Sequence, residues 1–179
     1  MKKTLLFLFL IGSTLAVSAQ EKNTSKSYIE QFKDNAVAIM HESGIPASII
    51  LGVAMHESGC GNSTIARKLN NQFGMKGGGT NVYYKNNKKV RTEYKKYDSI
   101  MESFEDFARV LTERKKFSHL SELDPMDYTA WVKGIQRGGY AGSRKWGSQV
   151  LAIIEKYKLN LFDSASEADS TKTKLAQVQ

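Results

Sequence analysis

The chain has 179 residues, with 26 basic and 18 acidic side chains, a net charge of +8 and one cysteine. That length suits one domain with a real core, and a lone cysteine excludes an internal disulfide framework. Stability must therefore come from packing, with Cys60 as a small buried residue.

Met1-Lys2-Lys3, an apolar run from Leu5 to Leu10 and the small-residue end Val17-Ser18-Ala19 read as a secretory signal peptide over residues 1–19. Its apolar core falls short of the about 20 residues of a membrane-spanning helix. The expectation is therefore an exported chain, secreted or periplasmic, with no stable membrane insertion after cleavage. Loss of Lys2 and Lys3 lowers the net charge from +8 to +6. A basic exported protein suits an anionic polymer or surface. Export and the scattered basic residues argue against nucleic acid as a partner.

Residues 20–27 are polar and expected to fray. One domain is expected over 28–162, followed by a disordered tail over 163–179, where large apolar residues are scarce. Tyr28, Phe32, Ala36, Ile39 and Met40 recur at helical spacing up to Gly44. Pro46 suits a first helical turn; beyond it Ile49, Ile50, Val53 and Ala54 form a second stripe. Asn62 or Ser63 can cap a short helix through Leu69. The glycines of N-N-Q-F-G-M-K-G-G-G (70–79) predict a loop.

The period then changes. Residues 82–97 are rich in aromatic and β-branched residues around Asn86-Asn87, which predicts a β-hairpin. Alternation puts Val90, Thr92 and Tyr94 on one face, and Arg91, Glu93 and Lys95 on the other. Helices return after it. Ser99 and Glu102 fit a capping box, and Ile100, Phe104, Phe107, Ala108 and Leu111 form an amphipathic stripe. A stripe of Tyr128, Trp131, Val132 and Ile135 stops at Gly138-Gly139. The last runs Trp146, Val150, Ile153, Ile154 and Tyr157. The fold class is mainly α (α+β), a helical domain with one small β-hairpin lobe.

The chemistry centres on Glu57, which ends the second apolar stripe directly before Ser58-Gly59. Partial desolvation and the negative end of the helix dipole both favour the neutral acid there. A carboxyl protonated near neutral pH is what a general acid needs. Glycoside hydrolysis usually takes a second carboxylate. Glu93 is the candidate, with Arg91 and Lys95 on its strand face favouring the ionised form; a routine exposed hairpin glutamate fits the same pattern. His41, His56 and His119 lack ligand-like spacing, so no metal or cofactor is expected.

The run S-I-I-L-G-V-A-M-H-E-S-G-C-G-N-S-T-I-A-R-K-L-N-N-Q-F-G-M-K-G (Ser48–Gly77) resembles the core motif of the glucosaminidases of glycoside hydrolase family 73. That motif combines A-x-x-E-S-G-x-G with N-N-x-F-G-x-K-G. The later R-T-E-Y-K-K-Y-D-S-I-M-E-S-F-E-D-F and G-G-Y-A follow the same order, so the resemblance spans Tyr28 to Leu159. It implies a lysozyme-like fold with the hairpin beside a cleft. It also implies an endo-beta-N-acetylglucosaminidase, a monomer associated with the cell wall. Such an enzyme hydrolyses the β-1,4 bond after N-acetylglucosamine in peptidoglycan glycan strands. By resemblance, Glu57 is the catalytic acid, Glu93 the second carboxylate and Tyr140 a cleft tyrosine that positions substrate or stabilises the reacting ring. Asn71, Phe73 and Gly74 match the cleft-lining loop, although Asn71 suits a loop-internal hydrogen bonder and Phe73 a core aromatic equally well.

The chain departs from the family after G-G-Y-A. Gly142-Ser143-Arg144-Lys145-Trp146 stands where T-D-P and a tyrosine are common. Trp146 is expected to replace that aromatic, as a core anchor or as a platform for sugar. His56 and Cys60 also differ from the usual pattern. A lytic transglycosylase, a muramidase on the same fold and a non-catalytic glycan-binding module are the alternative readings.

Overall fold

The computed structural model describes residues 21–165. The signal-peptide segment and the tail beyond residue 165 lie outside the described residues. Six α-helices and a two-stranded antiparallel hairpin make up the domain: α1 (Ser25–Ser43), α2 (Ala47–Ser58), α3 (Thr64–Leu69), β1 (Lys76–Lys85), β2 (Lys88–Tyr94), α4 (Ile100–Glu113), α5 (Tyr128–Arg137) and α6 (Trp146–Tyr157). Short 3₁₀ segments, Lys115–Glu122 and Leu159–Phe162, follow α4 and α6.

α2 is the axis of the fold. Every residue from Ala47 to Met55 is buried. The helix packs against α1, α4, α5 and α6. The expected stripe of Ile49, Ile50, Val53 and Ala54 is therefore only part of it, because Leu51, Gly52 and Met55 are buried too. A helix apolar on all sides belongs in the centre of a bundle. Gly52 lets α6 approach closely: a Cβ there would lie 2.8 Å from Ile154 Cγ1. α2 ends where Ser58 turns its hydroxyl back to the Ala54 carbonyl at 2.6 Å, and Gly59 adopts φ +58. The left-handed residue closes the helix end.

The N-terminal segment is tied down, contrary to the expected fraying. Thr24 and Ser27 form a capping box on α1. Asn23 bonds Asn62 and the Cys60 carbonyl, and Asn62 Nδ2 donates back to the Asn23 carbonyl at 2.8 Å. At the other end, Asp163, placed in the tail by composition, accepts from the Ser48 N–H and hydroxyl, both at 2.7 Å. Those two bonds cap the start of α2, whose Pro46 supplies no side-chain cap.

The hairpin also begins earlier than the glycines suggested. β1 starts at Lys76 and runs through Gly77–Gly79 with an irregular register before Asn81, where positive φ at all three glycines accommodates a bulge. Lys85 pairs with Lys88 across Asn86 and Asn87, both left-handed, as a two-residue type I′ turn requires. In α4, Ser99 caps as expected, but Glu102 reaches the N–H of Asp98 instead of closing the box on Ser99.

Filling the contact between α2 and α6 tests the axis. Gly52→Val should lower unfolding free energy by about 1–3 kcal/mol through overpacking, measured by urea denaturation.

Candidate active site

Glu57 leaves the buried axis at the last turn of α2 and is half-buried. Its Oε1 accepts from the indole Nε1 of Trp146 at 2.7 Å. Trp146 opens α6 and is only 2% exposed. Its ring therefore has no free face for a sugar, which rules out the platform alternative. It acts instead as an anchor that fixes the carboxylate. The bond fixes the orientation of the carboxyl group. The second oxygen, Oε2, faces the Gly74 backbone; a Cβ there would lie 3.6 Å from it and 3.9 Å from Tyr94 Cε1. Gly74, at φ +63, thus lets the chain pass beside the carboxylate.

Tyr140 completes this cluster. Its ring lies 5.5 Å from Trp146 and edge-on to Phe107 at 5.6 Å. Its hydroxyl donates to the Phe73 carbonyl at 2.9 Å. Burial raises its pKa well above the usual phenol value, and the charge of Glu57 adds to the rise. Tyr140 therefore remains a neutral phenol that holds the loop. The Phe73 ring lies in the core, stacked on Phe107 at 4.3 Å and edge-on to Phe104 at 4.9 Å. Phe73 also lines the cleft beside Glu57. Asn71 is buried and loop-internal. Its Oδ1 accepts from the Met75 N–H, and its Nδ2 donates to the carbonyls of Met75 and Lys95.

Glu93 lies on the exposed face of the hairpin. In the hairpin register Asn81 faces Thr92 and Tyr83 faces Val90; these residues and Tyr94 form the half-buried face. Val82, Tyr84, Lys89, Arg91 and Glu93 point outward and are exposed. Lys95 does not support Glu93 either, because its ammonium bonds Asp106 at 2.8 Å.

Asp106, which periodicity did not single out, is the second polar node. It is buried, and it accepts from Lys95, from the Tyr97 hydroxyl at 2.6 Å and from Arg109. Burial alone would raise its pKa; the bonds from Lys95 and Tyr97 and the nearby positive charges outweigh that and lower it. Burial and the Asp106 bond together push the Tyr97 hydroxyl up. The node ties the foot of the hairpin to α4.

The cleft beside Glu57 has a volume of about 400 Å³ and is lined by Glu57, Gly74, Tyr140 and three cations, Lys76, Arg114 and Lys116. A larger depression of about 610 Å³ over α5, between Asp127 and Arg137, holds no member of the Glu57 cluster. Among the described residues no group of three or more His, Cys, Asp or Glu could hold a metal ion, and no helix is long and apolar enough to cross a membrane.

A buried helix that delivers a glutamate to a cleft beside a β-hairpin is the fold of a glycoside hydrolase domain. That of Salmonella typhimurium FlgJ superimposes with a TM-score of 0.62 at 22% identity, covering 87% of this chain and 98% of that one. The chain belongs to the mannosyl-glycoprotein endo-beta-N-acetylglucosaminidase family, whose model matches residues 33–159. Exo-glucosaminidase LytG of Bacillus subtilis is 27% identical over 90% of this chain and 64% of its own length. Peptidoglycan hydrolase FlgJ of Escherichia coli K12 is also 27% identical, over 82% of this chain and 50% of its own. The chain thus spans one-half to two-thirds of the length of these curated relatives.

The Asp106 node carries a pH signature. A folded-state pKa below the ordinary carboxylate value contributes stability above that value, and the contribution is lost as pH falls through the folded pKa. Asp106→Asn should therefore cost about 1–3 kcal/mol at pH 7. Denaturant unfolding as a function of pH should show the wild-type advantage shrinking only below the usual aspartate range.

Proposed function

We propose that this chain is an exported, monomeric peptidoglycan hydrolase that cleaves the β-1,4 bond after N-acetylglucosamine, with Glu57 as general acid. The observation that carries the reading is the position of Glu57. It stands at the end of a helix buried from Ala47 to Met55, one oxygen fixed by Trp146 and the other beside the open backbone of Gly74. Membership of the family and the shared fold support the substrate class.

Glu57 donates its proton to the glycosidic oxygen as the bond to C1 breaks, through an oxocarbenium-like transition state. The outward face occupied by Glu93 favours the route in which the substrate's own N-acetyl oxygen attacks C1. The leaving sugar departs with the proton from Glu57, and an oxazolinium intermediate forms. Glu57, now a carboxylate, takes a proton from water as that water opens the intermediate. The net result is hydrolysis with retention of the β configuration. Tyr140 and Gly74 position the ring, and Asn71 and the Tyr140–Phe73 bond hold the loop that carries Gly74.

Reducing-end analysis of digested peptidoglycan tests the reading. N-acetylglucosamine ends, first formed as the β-anomer, are expected. Anhydro-muramic ends would instead identify a lytic transglycosylase, and reducing muramic ends a muramidase. Glu57→Gln should reduce release by about 100- to 10,000-fold. Glu93→Gln should stay within about tenfold of wild type, an effect of at most ~1.4 kcal/mol; a loss matching that of Glu57→Gln would restore Glu93 as the second catalytic group.

The Trp146 anchor makes a separate prediction. Trp146→Phe preserves most of the buried ring and removes the N–H. The loss of this one hydrogen bond, worth about 0.5–1.5 kcal/mol, should appear mainly in kcat, with unfolding by circular dichroism checking that the fold is retained.

A further inference from the structure

We infer that Lys76, Arg114 and Lys116 form a carboxylate-binding wall in the Glu57 cleft that selects the sugar on the leaving-group side of the scissile bond. This rests on the glycosidase reading above and adds a substrate determinant to it.

The three cations come from separate elements. Lys76 is the first residue of β1, Arg114 follows the last residue of α4, and Lys116 lies in the 3₁₀ segment after it. The fold gathers them around one cavity of about 400 Å³ together with Glu57. All three are exposed, and among the described residues none is paired with a carboxylate; the ion pairs are Lys33–Glu30, Lys95–Asp106 and Arg109–Asp106. The contrast with Lys95 and Arg109 is informative. Those two cations, at the foot of the hairpin and on α4, are neutralised by Asp106, whereas the three that line the cleft have no ion-pair partner among the described residues.

Two of the three are also oriented. The Lys116 ammonium donates to the Gly139 carbonyl at 3.2 Å and lies over the Phe117 ring at 4.6 Å. The Lys76 ammonium lies over the Tyr94 ring at 5.4 Å. Arg114 contributes the planar fork that suits a carboxylate. Like charges held together at the mouth of a cleft raise the local concentration of anions.

The chemistry of the proposed cut supplies the anion. The oxygen that Glu57 protonates belongs to a muramic acid residue, which carries a lactyl ether on the adjacent ring carbon. A lactyl carboxylate, or the carboxylates of a peptide attached through it, projects beside the protonated oxygen. A polymer of N-acetylglucosamine alone has the same linkage and no such charge.

The test uses the full chain and four substrates: neutral chito-oligosaccharides, glycan strands stripped of peptide so that the lactyl carboxylate is free, peptide-bearing strands with free stem carboxylates, and the same strands with those carboxylates amidated. Wild type should show kcat/KM at least tenfold higher on an anionic substrate than on chito-oligosaccharides, a preference that falls with added salt. In the Lys76→Gln/Arg114→Gln/Lys116→Gln triple variant the ratio should fall towards one, and Arg114→Lys should recover part of it. A preference for stripped strands assigns the lactyl group as the ligand. A preference for peptide-bearing strands that disappears on amidation assigns the stem. A ratio unchanged by the triple variant, or an equal loss on neutral and anionic substrates, would overturn the inference. Failure of wild type to cleave any of the four would instead overturn the glycosidase reading.

Discussion

An α-helix buried on every side can present a carboxylate without burying its charge only at its ends. α2 has that constraint: residues Ala47 to Met55 are all buried, and Glu57 appears in the final turn. The helices wrapped around α2 hold that end in place. α6 closes on Gly52 and carries Trp146 to Glu57. Asp163 ties the other end of α2 through Ser48. Core packing and the placement of Glu57 are thus one set of interactions, because the helix that makes the core also carries that carboxyl group.

Around that end, the Asn71–Met75 loop and the hairpin are fixed by polar groups turned inward. Asn71 substitutes for missing backbone pairing in the loop, satisfying Met75 and Lys95 at once. Buried polar groups are stable when partnered in this way. Tyr140 bonds the Phe73 carbonyl, so the aromatic stack under the cleft and the backbone beside Glu57 move together. Asp106 does the same for the foot of the hairpin. Of the residues that the motifs place in the cleft, Asn71 and Trp146 are buried supports, whereas Glu57, Phe73, Gly74 and Tyr140 line the open space.

What the sequence revealed depended on the range of each interaction. Helical spacing found α1, α4, α5 and α6, and the Ser-Gly stop after Glu57 marked the helix end, because those signals are local. Period alone could not separate an amphipathic α2 from a wholly buried one. The link between Glu57 and Trp146 spans 89 positions, and no spacing rule reaches that far. Asp106 was invisible for a similar reason: on a helix whose stripe is set by Phe104, Phe107 and Leu111, one acidic residue reads as solvent-facing until Tyr97 and Lys95 fold onto it. The resemblance supplied the order of the motifs, but not which side chains would be buried.

The hairpin shows how a two-residue turn decides chemistry at a distance. Asn86 and Asn87 take left-handed conformations that pair Lys85 with Lys88, and that pairing sets the register of the strands above it. A slip of one residue would exchange the two faces. In the observed register Tyr94 looks toward Gly74 and Glu57, while Glu93 sits with Lys89 and Arg91 on the outside. The charge pattern of the cleft follows. Lys95 is withdrawn to Asp106 at the hairpin's foot, and Lys76, at the start of β1, lies over Tyr94 on the cleft side. The cleft is left with one carboxylate and three cations. That balance suits the proposed reaction, in which the substrate supplies both the attacking group and the negative charge, and the protein supplies the proton.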